Sequence, residues 1–216
     1  LKDAPEDIAK RQEYLDGLVE IQDRGSQHIV RLCAVRPGMT VVDLCAGGGG
    51  KALGLAADMA NDGRIIASDT DWRRLGALAP RAARAGAAII TPRRLDPGTE
   101  SQGLADMAGG ADIVLVDAPC SGTGTWRRNP EAKWRLTLAR LTALCALQSR
   151  LLDVGAALVA PGGALVYAVC SLLDEEGAAQ ADGFRAKGFA ETERVTMSPQ
   201  ENGSDGFFVA RFERAC

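Results

Sequence analysis

The stretch 112–134, DIVLVDAPCSGTGTWRRNPEAKW, holds the residue types in this chain best suited to chemistry. Residues 113–116 are apolar and read as a buried strand, and at its exit stand Asp117, Pro119 and Cys120. A loop of small residues, 121–125, follows, and then Trp126, Arg127 and Arg128. A second apolar run, 164–169, also ends on a thiol, Cys170, with Ser171 behind it. A deprotonated cysteine is a strong nucleophile, and a carboxylate beside it can orient a polar substrate or move a proton. Two thiols and an acid at neighbouring strand ends therefore fit covalent catalysis, with one sulfur attacking and another group assisting release. A single free cysteine is more often an inert core residue, but the pairing beside Asp117 favours catalysis over that bland reading. The residues alone leave open which thiol attacks. Cys170 precedes a helix start, which favours thiolate, while Asp174, Glu175 and Glu176 oppose it. Cys120 sits in a glycine-rich loop that Arg127 and Arg128 could reach.

A second constellation lies at 41–51, VVDLCAGGGGK: an apolar run, a glycine turn and a helix start. Glycines let backbone N–H groups come close to a ligand at a helix N-terminus. Cys45, Ala46, Gly47, Gly49 and Lys51 are thus candidate cofactor contacts. About 20 residues further on, Asp69 closes the next strand-like run, where a carboxylate can accept ribose hydroxyls. This pattern fits a dinucleotide or S-adenosylmethionine. Asp43 suits a ligand's amino group and would repel a pyrophosphate, and Lys51 suits a carboxylate, so the residues point to S-adenosylmethionine over NAD.

These groups need a frame to deliver them. From Met39 onward, strand-like runs at 40–44, 64–68, 88–91, 113–116 and 164–169 alternate with helical stretches at 51–60, 72–84, 101–108, a long one from 131 or 136 to 159, and 174–187. Such alternation predicts an α/β fold with a mostly parallel sheet and helices on both faces, whose ligands lie beyond the carboxyl ends of the strands. Two further runs, 189–196 and 206–212, predict a terminal hairpin with an antiparallel strand, for seven strands in all. Ahead of this catalytic domain, 36–216, residues 1–35 read as an adapter. It comprises a polar helix over 6–15, an extended piece at 18–22 and a second helix from about Ser26, which is a candidate cap.

Length and composition bound the rest. The 216 residues suit one domain, with 46% hydrophobic and 25% charged residues. The chain opens on Leu1 rather than Met, so sequence is expected upstream. No uninterrupted apolar run approaches the roughly 18 residues needed to cross a bilayer, and no membrane segment is expected. The six cysteines form no C-x-x-C pair and there is one histidine, so neither a metal site nor a disulfide framework is expected. Reduced thiols fit a cytoplasmic protein. Cys33 and Cys145 fall in apolar helical patterns and read as core residues. The net charge of −3 excludes a generally basic nucleic-acid binder, so any RNA contact must be a local patch. Arg127, Arg128, Lys133 and Arg135, interleaved with Trp126 and Trp134, are the candidate, although Trp134 reads slightly better as a core anchor for the next helix.

The sequence resembles the Sun/Fmu family of RNA cytosine-5 methyltransferases, the family that includes bacterial small-subunit rRNA methyltransferases. The most specific likeness is 117–124, DAPCSGTG, with Arg127-Arg128-Asn129-Pro130 and Trp134. It extends to Gln22-Asp23 with Ser26-Gln27, Cys45-Ala46 through Lys51, Asp69 with Arg74-Leu75, Tyr167 with Cys170-Ser171, and 205–210. Gly47-Gly48 stand where the family usually has Ala-Pro, Ala52 and Val169 where it has Thr, and Asp174 and Gly177 where it has Pro and Asn. The resemblance implies a Rossmann-like class I methyltransferase that uses S-adenosylmethionine and acts on structured RNA, rRNA in preference to tRNA. It implies Cys170 as nucleophile, Cys120 as the group that assists product release and Asp117 at the cytosine edge. It also implies Arg74 and Asp96 as cofactor neighbours, together with Asp117. Two other readings stand beside it: an NAD-dependent oxidoreductase, which leaves both cysteines unexplained, and a non-catalytic RNA-binding or assembly factor.

Overall fold

The computed structural model describes residues 8–185, 188–199 and 204–216. Seven strands form one sheet: β1 (Thr40–Asp43), β2 (Arg64–Asp69), β3 (Ile90–Arg94), β4 (Ala111–Asp117), β5 (Val159–Val169), β6 (Phe189–Met197) and β7 (Phe207–Arg214). Their order is β3-β2-β1-β4-β5-β7-β6. The first five pair in parallel, and β7 runs antiparallel between β5 and β6, as the terminal hairpin predicted. The helices are α1 (Gln12–Leu15), α2 (Arg24–Leu32), α3 (Gly50–Asp58), α4 (Trp72–Gly76), α5 (Leu78–Arg84), α6 (Glu100–Gly103), α7 (Leu138–Leu158) and α8 (Ala178–Arg185).

Successive strand residues point to opposite faces, so each buried strand feeds two cores. Val41, Ile65, Ile113, Leu115, Ala164 and Val166 meet Ile29 and Val30 of α2, Leu53 and Leu55 of α3, and Leu75 and Leu78 of α4 and α5. Their neighbours Val42, Ile66, Val114, Val116, Leu165 and Tyr167 meet Leu104, Leu151, Leu152, Leu158 and Phe184 on the other side. Helix α2, assigned to the adapter in the sequence, thus packs its apolar stripe into the same core as the sheet.

Several expectations are corrected. The helix over 72–84 is two, α4 and α5, because Pro80 has no N–H to offer the Gly76 carbonyl. The third strand runs over Ile90–Arg94 rather than 88–91. Asp23, not Ser26, caps α2, its Oδ1 accepting the Gly25 N–H at 2.7 Å. Residues 130–135 form a 3-10 segment, and α7 begins at Leu138 behind a Thr137 cap. By length and composition α7 could cross a membrane, although Arg140, Arg150 and Asp153 interrupt its apolar sequence. Its inner face packs on β4, β5 and α8. Cys33 is buried as expected, but Cys145 is only half-buried, its Sγ 3.4 Å from the Glu175 carbonyl. The predicted helical start at 6–7 and end at 186–187 lie outside the described residues.

Candidate active site

The exits of β1, β2, β4 and β5 open onto a cleft of about 370 Å³ lined by Leu44, Cys45, Asp69, Asp117, Cys120 and Cys170 among others. Parallel strands place their carboxyl ends on one edge, which is why residues separated by more than 100 positions converge there. The volume lies within the range of small-molecule sites. Leu144, Leu147 and Leu151 of α7 supply its apolar side.

The two sulfurs meet. Cys120 Sγ lies 3.3 Å from Cys170 Sγ, with both cysteines partly exposed to the cleft and both free thiols. Backbone contacts fix this approach. The Gly124 N–H donates to the Cys170 carbonyl at 3.1 Å, and the Gly206 N–H donates to the Gly124 carbonyl at 2.9 Å. A Cβ on Gly124 would come within 2.0 Å of the Gly206 oxygen, so only glycine permits this stitch. Side chains add to it: Ser121 Oγ lies 3.3 Å and Thr123 Oγ1 3.0 Å from Ser171 Oγ.

The pair is electrically asymmetric. The contact with Cys120 holds the Cys170 thiol below its ordinary value, and nearby Lys51 acts in the same direction. Burial and the Asp117 charge oppose this shift. Cys120 is pushed up by that same contact, by burial and by the charge of Glu176. Both shifts favour a thiolate on Cys170 over one on Cys120.

Lys51 Nζ donates to Asp117 Oδ2 at 2.6 Å, so the ammonium expected to face a cofactor carboxylate is shared with Asp117. Beneath them Asp43 is completely buried, and neither carboxylate oxygen has a hydrogen-bond partner among the described residues. Burial first, and then the Asp117 charge, push its carboxyl up to about 7. At the next strand end, Asp69 Oδ2 accepts the Gly47 N–H at 2.7 Å and Oδ1 the Asp71 N–H at 2.7 Å. It thus shapes the glycine loop while still lining the cleft. Gly49 caps α3 at φ +80°, a left-handed conformation, with Leu78 beneath it. The Ala46 N–H is taken by the Ser68 carbonyl at 2.9 Å. Cys45 lines the cleft, and burial pushes its thiol up, which keeps it neutral.

The other expected residues divide. Arg74 lines the cleft with its guanidinium against Gly47. Asp96 does not line it; it is exposed, and its carbonyl accepts the Thr99 N–H at 3.1 Å in a turn. Arg128 is clamped on buried Asp205, with Nε 3.0 and 2.9 Å from the two carboxylate oxygens, and Arg127 lies 3.8 Å from the same acid. Neither arginine is among the residues lining the cleft beside Cys120. Trp126 is half-buried with its Nε1 unpaired. Trp134, expected to anchor the next helix in the core, is instead 80% exposed, with Lys133 Nζ 4.6 Å from its ring. Sequence reasoning missed Glu100, whose buried carboxylate pairs with Arg150, as well as Arg140 and Gln148. It read Glu176 only as a charge opposing Cys170. The serines following each cysteine were the available signal, because Ser121 ties its loop to buried Glu176 and buried Ser171 ties the two loops together.

Comparison with known proteins decides the lineage. A family model described as 16S rRNA methyltransferase RsmB/F matches residues 30–188. The chain is 34% identical to the probable ribosomal RNA small subunit methyltransferase B of Synechocystis, over 96% of this chain and 50% of the relative. It is 31% identical to the ribosomal RNA small subunit methyltransferase B of Pasteurella multocida, over 97% and 50% respectively. The crystal structure of PH0851 superposes with a TM-score of 0.91 at 31% identity, covering 98% of this chain and 50% of that one.

The chain belongs to the RsmB/F family of 16S rRNA methyltransferases. It spans about half the length of the curated relatives it matches. RsmB/F proteins are S-adenosylmethionine-dependent methyltransferases with a Rossmann-like sheet, and this is the domain's fold and cofactor class. The NAD reading is set aside. The residues also fit the cofactor on their own chemistry: Asp69 lines the cleft at the β2 exit, where ribose hydroxyls bind in such folds, and behind the cleft wall the buried Asp43 oxygens lack a donor such as an ammonium would supply.

Proposed function

We propose that this RsmB/F domain methylates carbon 5 of a cytosine in structured RNA, with small-subunit rRNA as the substrate, through a covalent adduct on Cys170. The observation that carries the reading is the 3.3 Å approach of two thiols in a cleft shared with Asp117. Carbon 5 of cytosine is a weak nucleophile. The Cys170 thiolate adding at carbon 6 pushes the ring electrons toward carbon 5, which can then attack an electrophilic methyl group. When bound, S-adenosylmethionine supplies that methyl on a sulfonium. Asp117 has one oxygen occupied by Lys51 and a second free to hold the cytosine edge during addition. After transfer the proton on carbon 5 must leave as the Cys170–carbon bond breaks. Cys120, 3.3 Å from Cys170, gives its own proton to solvent and as a thiolate takes the carbon 5 proton while Cys170 leaves carbon 6 as a thiolate, and so assists release. Asp69, the 45–49 turn, Arg74 and Asp43 hold the cofactor, with Asp43 accepting from its ammonium. Exposed Trp134, Lys133, Arg127 and Arg140 form the RNA-facing patch, joined by Trp126 and Arg128 at its inner edge. Stacking on an aromatic and contacts to phosphate suit a splayed base.

Bisulfite sequencing of total RNA from cells with and without the gene tests both reaction and substrate. A cytosine protected only when the gene is present is expected in small-subunit rRNA. No gene-dependent protection in any RNA would overturn the reading. Retention of cellular function by Cys170→Ala would instead support a non-catalytic assembly factor.

A further inference from the structure

Behind Cys120 lies a carboxylate that the reaction scheme does not use. Glu176 is completely buried, and no lysine or arginine among the described residues pairs with it. Oε1 accepts the Ser121 N–H at 2.8 Å and Gln148 Nε2 at 3.0 Å, and the Ser121 hydroxyl donates to Oε2. Three donors converging on two oxygens is the pattern of an ionised carboxylate. Ser121 is the residue after Cys120, and Gln148 Nε2 also reaches the Pro119 carbonyl at 2.9 Å. Both sides of Cys120 are therefore held by one buried acid and its amide partner. The Glu176 backbone is itself fixed, its carbonyl accepting the Tyr167 hydroxyl at 2.6 Å. Burying an acid without a cation costs several kcal/mol in the absence of compensating contacts. A neutral side chain could have tied this loop, so the charge calls for an explanation.

We propose that Glu176 is a positioning residue that assigns the two cysteines their roles: it grips the Cys120 loop and sets a negative charge beside Cys120, so the proton of the pair stays there and the thiolate forms on Cys170. The proposal rests on Cys170 being the nucleophile. Opposite charges flank the sulfur pair, with Lys51 acting on Cys170 and Glu176 acting on Cys120. The other groups facing them are accounted for. Asp117 opposes ionisation of Cys170 but is paired with Lys51, Arg128 acts weakly from the Asp205 clamp, and burial keeps the Tyr167 phenol neutral. When the pair loses its first proton to solvent, the remaining one stays on Cys120 as an S–H donating to the Cys170 thiolate.

The test is the site of alkylation. The full chain is treated briefly with iodoacetamide between pH 6 and 9, and the labelled cysteine is identified by peptide mass spectrometry. The native protein is expected to label at Cys170 first. Glu176→Gln is expected to lower the Cys170-to-Cys120 labelling ratio by roughly tenfold, the size of one pKa unit. Glu176→Asp keeps the charge and is expected to retain the preference. A Gln variant that folds and keeps the native ratio, or an Asp variant that loses the preference, overturns the proposal and leaves Glu176 a structural brace. If the Gln variant does not fold, the Asp variant decides alone. Native labelling at Cys120 first would instead contradict the nucleophile assignment, and the direction of the Gln shift would still report on Glu176.

Discussion

Cys170 sits 3.3 Å from the Cys120 thiol and in the field of Lys51, and its thiolate is expected to form at a lower pH than that of an isolated cysteine. Methyl transfer is therefore expected to rise with pH and level off before the ordinary thiol range is reached. Lys51→Met removes the cation and is expected to move that midpoint upward, as read from single-turnover rates across pH. Asp43 behaves in the opposite way. Its folded pKa of about 7 exceeds the unfolded carboxylate value, so the unfolded chain loses this proton first. Stability is then expected to fall as pH rises from about 4 to 7, by roughly 4 kcal/mol at most for this group. Asp43→Asn removes that penalty. Without cofactor it is expected to gain stability relative to the native protein at pH 8 and not at pH 4, as measured by urea unfolding. An equal effect at both would remove the buried charge from the account. Cys120, Cys170, Asp117 and Asp69 were legible in the sequence because each ends a strand. Glu176 was legible only as a charge near Cys170, since an acid in the run Asp174-Glu175-Glu176 gives no sign of burial until the Tyr167 contact fixes its backbone.

At the scale of elements, the site depends on turns that tolerate no side chain. Gly49→Ala would impose a left-handed conformation on alanine and press a methyl into Leu78, 2.1 Å away. The expected loss is roughly 2–4 kcal/mol from strain and overpacking together, seen as a lower denaturation midpoint. Alternating buried and solvated runs made the sheet legible, including the antiparallel end, because strand periodicity and the β–α alternation survive in the sequence. Boundaries were less so. Pro80 permits helix on either side and marks the break between α4 and α5 only once the Gly76 carbonyl is located. Trp134 illustrates the same limit: an aromatic ahead of a long apolar helix can face either way, and here tertiary packing leaves it outside.

The whole molecule is mildly acidic, with a net charge of −3, and several of its arginines are committed to internal partners. Arg128 is held by Asp205, Arg84 by Glu20 and Arg150 by Glu100. What remains at the cleft mouth is a short patch, so weak RNA affinity is expected for this chain at about 0.15 M salt. Tight, sequence-selective binding in a filter or anisotropy assay under those conditions would show that the patch suffices alone. The division of labour between the two sulfurs is the point on which the chemistry turns. It is tested most directly by incubating Cys120→Ala and Cys170→Ala separately with small-subunit rRNA and S-adenosylmethionine, and resolving protein–RNA adducts under denaturing conditions. The Cys120 variant is expected to accumulate an adduct that maps to Cys170, and the Cys170 variant to form none. An adduct on Cys120 in the Cys170 variant, or none in either, would contradict the mechanism.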